Sequence, residues 1–195
     1  MAMDTNTLPS GRRELTKTQN RETILDAARL VFAQLGFAGT TVRDIIRATP
    51  LASGTFYNYF KSKEQVYQAL RDEEALVVRP RLRQARAGAA SAQEFIAESF
   101  RAFFWFVVEK GGSGGEQFRL DSPQVLVGFA ELREDIEKAM ARGLLPPTDP
   151  GLLGAALTGV AFELAEEVKR GAEVEKVAQF ATALFLGGIG ALPKP

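Results

Sequence analysis

Apolar residues recur along this chain at intervals of three or four, which is the spacing of one face of an α-helix. The first stripe predicts a helix over residues 18–35, closed by Gly36 and Gly39. Its apolar members are Ile24, Ala28, Val31, Phe32 and Leu35. Residues 1–17 are polar, carry no such stripe, and are predicted to form a disordered arm.

Two short helices separated by a tight turn are predicted in residues 40–67, which read TTVRDIIRATPLASGTFYNYFKSKEQVY. Apolar positions 42, 45 and 46 share one face of the first helix, and Pro50 marks the turn because it cannot continue a helix. Phe56 and Phe60 lie one turn apart as anchors into a core. This layout is that of a helix-turn-helix, whose second helix enters the DNA major groove. The residues left to face outward are Ser53, Thr55, Tyr57, Asn58 and Tyr59.

Further helical stripes account for most of the remaining chain. A fourth helix begins near Ser62, whose hydroxyl can cap it, and Pro80 is expected to break or kink it. More helices are predicted over residues 91–109, 123–142, 149–170 and 173–186, with a flexible GGSGG loop at 111–115. Because no strand alternation is present, we predict an all-α protein. A three-helix helix-turn-helix domain over 18–66 would precede a larger helical domain over 67–195.

Composition narrows the chemistry that this chain can perform. The 195 residues include no cysteine and no histidine, which removes disulfides, thiolate nucleophiles, imidazole bases and most zinc or copper sites. The glycine run GGSGG lacks the lysine of a phosphate-binding loop and follows no strand. We therefore expect no enzyme, no catalytic residue, no metal site and no cofactor.

Charge is divided unevenly although its sum is zero. Residues 1–87 carry 14 Lys and Arg against 9 Asp and Glu, and residues 88–195 carry 10 against 15. A basic first half suits phosphate, whereas the acidic second half serves another purpose. No apolar run approaches the length of a membrane helix, and the N-terminus has no signal core, so we expect a soluble, cytoplasmic protein without a membrane partner.

The run GTFYNYF at 54–60, followed by Lys63 and Glu64, resembles the DNA-binding domain of the tetracycline-repressor (TetR) family. The resemblance extends over residues 21–70, with Pro50 in place of the usual turn glycine and Ala52 in place of a frequent capping serine. By this resemblance, DNA phosphates would be contacted by Thr41, Tyr57 and Lys63. The base-facing positions would be Arg43, Ser53, Thr55 and Asn58, and Tyr59 completes the predicted DNA surface. Basic residues 12, 13 and 17 form either a minor-groove arm or an untethered tail.

The aromatic run FFWF at 103–106 is apolar on every side, which a surface helix would not tolerate. It belongs either to an ordinary aromatic core or to a ligand cavity. The family resemblance favours a cavity, because such proteins hold an inducer site in the second domain. The residues predicted to line it are Phe103, Phe104, Phe106, Phe118, Phe129 and Phe162. Such walls favour a small apolar or amphipathic effector over a sugar or a metal ion.

The last two predicted helices carry apolar stripes together with small residues that permit close helix packing, such as Gly154 and Gly159. These stripes either pack on their own domain or pair with a second copy, and the resemblance implies the second arrangement. A homodimer presents two reading heads to palindromic double-stranded operator DNA. The resulting prediction is a one-component transcriptional regulator, a repressor that a small lipophilic ligand releases. The alternative is an architectural DNA-binding dimer with no ligand.

Overall fold

The computed structural model describes residues 9–110 and 122–189, which form α-helices joined by short connections, without a strand in either range. The all-α prediction is therefore confirmed. The chain divides into two compact units, Met1–Leu70 and Arg71–Pro195. The helices are α1 (Pro9–Gly39), α2 (Val42–Arg47), α3 (Ser53–Tyr57), α4 (Lys63–Ala87), α5 (Ala92–Lys110), α6 (Pro123–Ala141), α7 (Pro150–Lys169) and α8 (Val174–Ile189).

Unit 1 contains α1, α2, α3 and the first turns of α4, in the helix-turn-helix order that the sequence predicts. Its core is built from apolar residues of all four helices, because packing of an apolar face supplies most of the stability of a helix in a protein. The buried members are Ile24, Leu25, Ala28, Val31, Phe32, Ile45, Phe56, Phe60, Val66 and Leu70. Phe56 and Phe60 are the aromatic anchors expected of α3 and the turn that follows it.

Helix α1 begins earlier than predicted. The disordered arm expected through residue 17 is wrong for residues 9–17, which are helical. Residues 13–19 are exposed, so no core contact holds this part of the helix. Residues such as Arg13, Glu14, Leu15 and Lys17 extend a helix that is already nucleated, which costs far less than starting one. Gly36 leaves helical geometry at φ 69° and ψ 164°, at the position where the sequence places the end.

Helix α4 is continuous through Pro80 and crosses the boundary between the two units. The break expected at Pro80 is wrong, and the basic run at 79–86 is helical. A proline inside a helix removes one backbone hydrogen bond and crowds the preceding turn. Ion pairs on either side of Pro80 compensate, since Arg79 pairs with Glu131 and Arg86 pairs with Asp135 of α6.

Unit 2 combines the second part of α4 with α5 to α8, and its core centres on the aromatic side chains of α5. Phe95, Phe100 and Phe104 are each at most 2% exposed. Local signals set the helix ends, since Ser122 and Asp149 cap α6 and α7, and Gly143 (φ 72°) and Gly171 (φ 103°) follow their ends. The predicted bounds of α5 to α8 agree within about three residues. Across the described ranges, no helix is both long and apolar enough to span a lipid bilayer.

Candidate nucleic-acid interface and ligand cavity

Helix α3 presents polar side chains on a short, firmly anchored segment. Phe56 is buried at 1% exposure, which fixes the helix, while Ser53, Tyr57 and Asn58 point to solvent. Tyr57 is 57% exposed, and its ring meets that of Phe56 edge-on at 5.5 Å. Ala52 occupies the N-cap position and supplies no side-chain hydrogen bond, as expected from its identity. A Cβ added at Gly54 would meet no other part of the protein within 4 Å, so the surface there is open.

Two predicted DNA-facing residues are less exposed than expected. Thr55 is half-buried, and Tyr59 is half-buried because its ring packs against the core of unit 1. The expectation that Tyr59 faces fully outward is therefore wrong. Arg43, on α2, is exposed. The residues that combine exposure with polar groups on α2 and around α3 are Arg43, Ser53, Tyr57 and Asn58.

Thr41 caps α2 through a reciprocal pair of hydrogen bonds with Asp44. The Thr41 hydroxyl accepts from the Asp44 backbone N–H at 3.3 Å, and the Asp44 carboxylate accepts from the Thr41 N–H at 2.9 Å. The same hydroxyl donates to Asp44 Oδ2 at 2.6 Å. These bonds from Thr41 lower the pKa of Asp44. To donate to a DNA phosphate, the Thr41 hydroxyl would have to give up its hydrogen bond to the Asp44 carboxylate.

Lys63 is held against the end of α1. Its ammonium Nζ donates to the carbonyl oxygens of Phe37 at 2.7 Å and Thr40 at 2.8 Å, with Ala38 O at 3.4 Å. It also lies 4.5 Å from the centre of the Phe37 ring, in cation–π geometry. The ammonium therefore binds backbone carbonyls at the C-terminal end of α1, where the helix dipole favours a cation. A phosphate contact by Lys63 would have to replace at least one of these bonds.

Replacing Lys63 with methionine is expected to lower the free energy of unfolding by about 1–3 kcal/mol, because the carbonyls lose a charged donor. Urea denaturation measures the change. Lys61→Met, an exposed position two residues earlier, is the control and should shift stability by less than about 0.5 kcal/mol. If Lys63→Met is as stable as the wild type, the ammonium does not bind these carbonyls in solution. It would then be available to contact a DNA phosphate.

A cavity of about 140 Å³, partly open to solvent, lies within unit 2 among α4, α5, α6 and α7. Its walls are mainly apolar, and aromatic rings form much of them. The aromatic members are Phe100, Phe103, Phe106, Phe129 and Phe162. Phe103 and Phe162 meet edge-on with ring centres 5.5 Å apart.

Four of the six phenylalanines proposed from sequence, Phe103, Phe106, Phe129 and Phe162, contribute to this cavity. Phe104 does not, since it is 0% exposed and its ring stacks on Phe100 in the core, with centres 5.8 Å apart. Phe118 lies outside the described residues. The FFWF run is also not buried on every side of the helix, because Trp105 is 47% exposed to solvent. Periodicity locates an aromatic helix but does not decide which ring meets empty space.

One wall of the cavity carries charges that sequence reasoning missed. Arg79 forms a two-pronged pair with Glu131 of α6, with Nε to Oε2 at 3.0 Å and Nη2 to Oε1 at 2.7 Å. Its third donor, Nη1, reaches Gln124 Oε1 at 2.5 Å. The available signal was the spacing of charged with apolar residues on one face of α4. The α4 residues that line the cavity are Arg71, Glu74, Ala75, Val78, Arg79, Leu82 and Arg86.

The electrostatic surroundings of Arg79 and Arg86, two arginines of this wall, differ. The hydrogen bonds from Arg79 lower the pKa of the Glu131 carboxyl, and the same pair raises the pKa of Arg79. Arg86 is 5% exposed, and burial lowers its pKa although Asp135 accepts from its Nε at 2.9 Å. Both arginines remain charged at neutral pH because a guanidinium loses its proton only in strong base.

Comparison with known proteins identifies the DNA-binding part of the chain. A model of the bacterial regulatory proteins of the tetR family matches residues 24–70. The HTH-type transcriptional repressor KstR2 of Mycolicibacterium smegmatis is 42% identical over 73 residues, which are 37% of this chain and 32% of that protein. The match therefore spans about a third of the length of this curated relative. Residues 24–70 therefore belong to the TetR family of DNA-binding domains.

Solved structures extend the likeness in fold beyond the DNA-binding part of this chain. FadR, a fatty acid degradation regulator from Bacillus halodurans, gives a TM-score of 0.69 at 20% identity, covering 87% of this chain and 96% of its own. AibR, solved in complex with isovaleryl coenzyme A and operator DNA, gives 0.64 at 17% identity, covering 85% and 97%. At these identities the comparison establishes a shared fold.

The last two helices of this chain, α7 and α8, expose apolar and small side chains. Leu152 is 74% exposed, Phe180 62% and Leu184 54%. Ala155 and Ala156 of α7 are also exposed. A Cβ added at Gly159 would meet no other part of the protein within 4 Å. Leu157, which shares the apolar stripe of α7, instead lies in the core at 5% exposure. Both helices thus expose apolar side chains that the core of unit 2 does not bury.

Proposed function

We propose that this TetR-family protein is a one-component transcriptional repressor acting in the cytoplasm. It would bind palindromic operator DNA as a homodimer and leave it when a small amphipathic molecule enters unit 2. The observation that carries the proposal is the presence, on one chain, of an exposed helix-turn-helix surface and a ligand-sized cavity that share helix α4. A change at the cavity wall of α4 has a continuous helical path to the DNA-binding unit.

The DNA contacts would come from α2 and the residues around α3. Arg43, Ser53, Thr55 and Asn58 would read base edges, and Tyr57, with Tyr59 beside it, would contact the backbone. Thr41 and Lys63 would contribute phosphate contacts only by exchanging the local hydrogen bonds described above. The exposed guanidinium of Arg43 suits guanine, to which arginine can donate two parallel hydrogen bonds.

Homodimerisation through α7 and α8 is supported by the exposed Leu152, Phe180 and Leu184. Several large apolar side chains exposed on two helices mark an interface more often than an isolated exposed leucine does. Open space at Gly159 would let a helix of the second copy approach closely. A twofold dimer would place two DNA-binding units for the two halves of a palindromic site.

The cavity supports release by a ligand. Its phenylalanine walls would gain from covering an apolar group, and the arginine and glutamate of its α4–α6 wall would bind a polar one. An amphipathic effector therefore fits better than a purely lipophilic one. The fold neighbour AibR was solved in complex with both isovaleryl coenzyme A and operator DNA, which supports a regulator with both kinds of partner.

Selection of bound sequences from random duplex DNA, followed by anisotropy titrations at several salt concentrations, tests the DNA function. Arg43→Ala should weaken binding to the selected site by roughly tenfold or more and relax the preference at one base position. Tyr57→Phe should weaken selected and unselected DNA alike, because only a phosphate-directed hydroxyl is lost. Arg29→Ala, an equally exposed arginine on α1, is the matched control and should bind like wild type. Failure of the wild-type protein to enrich any sequence would refute the proposal.

A further inference from the structure

We propose that the cavity of unit 2 takes a small anionic amphiphile, a carboxylate attached to one ring or to a chain of about six carbons. The carboxylate of the ligand would bind the guanidinium of Arg79 and displace the Glu131 carboxylate from it. This assignment rests on the proposed function and deepens it, because it names the class of effector and the contact that the effector breaks.

The size of the cavity limits the apolar part of the ligand. The space is about 140 Å³ and has five phenylalanine rings on its walls. An apolar protein cavity of roughly 150 Å³ holds one benzene-sized molecule. A single ring or a short acyl chain therefore fills the space, whereas most of a long fatty chain would remain outside it. The partial opening of the cavity leaves room for the polar end of the molecule.

The charge of the α4–α6 wall favours an anion over a cation. Arg86 is matched by Asp135 at 2.9 Å, but Arg79 and Arg83 share one carboxylate, Glu131, at 2.7 and 3.5 Å. Glu134 is shared as well, between Arg83 at 3.9 Å and Lys138 at 3.8 Å. Counted over the described residues, the network thus holds four cations and three carboxylates. Its cations are Arg79, Arg83, Arg86 and Lys138, and its carboxylates are Glu131, Glu134 and Asp135. One additional carboxylate balances the network.

Arg79 is the cation placed to receive that carboxylate. Its side chain is 18% exposed and lines the cavity, as do both of its partners, Glu131 and Gln124. Arg86 also lines the cavity, yet it is 5% exposed and already bound to the nearly buried Asp135. A guanidinium binds any carboxylate in the same two-pronged geometry, so exchange at Arg79 replaces like with like. A neutral ligand of the same shape offers no such replacement.

The exchange would act on the attachment of α4 to α6. Among the described residues, the polar contacts between these helices include three groups. Asp72 binds Ser122 and the Gln124 N–H, Arg79 binds Glu131 and Gln124, and Arg83 and Arg86 bind Glu131, Glu134 and Asp135. The Arg79 connection is the middle one, and it adjoins Pro80, where the helix lacks a backbone hydrogen bond. A ligand that occupies Arg79 would therefore release α4 from α6 at the point where α4 is weakest.

Isothermal titration of the full chain with benzoate and hexanoate, against benzamide and hexanol at equal ionic strength, tests the assignment. We expect each carboxylate to bind at least about tenfold more tightly than its uncharged counterpart, the difference of one charge-assisted contact. Palmitate should bind no more tightly than hexanoate. Arg79→Gln should abolish the preference for the charged probes. Arg81→Gln is the matched control, because this arginine of α4 pairs with Glu109 and does not line the cavity.

Glu131→Gln gives the opposite expectation and covers the case in which Arg79→Gln fails to fold. Removing the competing carboxylate should tighten benzoate binding several-fold if exchange occurs. Equal binding of charged and uncharged probes, or no binding of any probe to the wild type, would overturn the assignment. DNA enrichment measured without ligand separates the two proposals: DNA binding without carboxylate binding overturns this one alone. Carboxylate binding without DNA enrichment overturns the regulatory function and supports the anion site.

Discussion

Aspartate placed at both Phe180 and Leu184 is expected to convert the protein from dimers into monomers. Both side chains are more than half exposed in the single chain, at 62% and 54%, so the substitutions leave the core of unit 2 intact. In the proposed dimer they would be buried, and two unpaired charges per chain would cost several kcal/mol. Light scattering and sedimentation measure the molecular mass directly.

The control for this experiment is Val108→Asp with Leu126→Asp. These side chains are similarly exposed, at 49% and 46%, but lie on α5 and α6, and the double variant should remain dimeric. Monomers of the Phe180/Leu184 variant should also bind the operator about 100-fold or more weakly, because two linked DNA-binding units act at a high effective concentration. A dimer that survives both aspartates would place the interface elsewhere on the chain.

The choice of these residues shows what periodicity can and cannot supply. The apolar stripes predicted for α7 and α8 include Leu157 and Leu184, and their spacing alone does not distinguish the two. The structure separates them, because Leu157 is 5% exposed beside the cavity and Leu184 faces solvent. A helix that is apolar on more than one side gives no signal for which side meets its own domain.

Helix positions were predictable where the local chemistry is strong. Ser122 and Asp149 are N-caps, and Gly143 and Gly171 occupy positive φ angles after a helix, so their positions follow from the sequence nearby. Pro80 gave the wrong answer for the same reason. The local rule against proline in a helix does not include the pairing of Arg79 and Arg86 with residues about fifty positions later.

The candidate site divides in the same way between local and distant causes. The DNA-facing identity of Tyr57 and Asn58 follows from a contiguous motif, and their exposure agrees with it. The binding of the Lys63 ammonium to carbonyls at 37 and 40 joins segments more than twenty residues apart, which spacing does not reveal. The charged cavity wall likewise depends on ion pairs between α4 and α6, which are distant in the sequence. Mixed charge and apolar character on α4 was visible in the sequence, but its partner was not.

Ala161→Trp is expected to abolish the response to ligand while preserving DNA binding by the free protein. Ala161 lines the cavity, and an indole in its place would take up most of the 140 Å³ that a ligand would use. Because the added ring enters existing space, the free energy of unfolding should change by no more than about 1–3 kcal/mol, the ordinary cost of an imperfect fit. The readout is operator release, as the ligand concentration that frees half of the DNA, which should rise about 100-fold or more.

Ala130→Trp supplies the control, since this alanine is exposed on α6 and lies outside the cavity. It introduces the same side chain and should leave the ligand response unchanged. An unaltered response in Ala161→Trp would mean that the effector binds at another site. The alternative of an architectural dimer makes a different prediction: no small molecule would release wild-type protein from DNA, and filling the cavity would have no effect on DNA binding. The phenylalanine walls and the Arg79–Glu131 pair argue against that alternative, because an unused space of this size costs stability that larger side chains would recover.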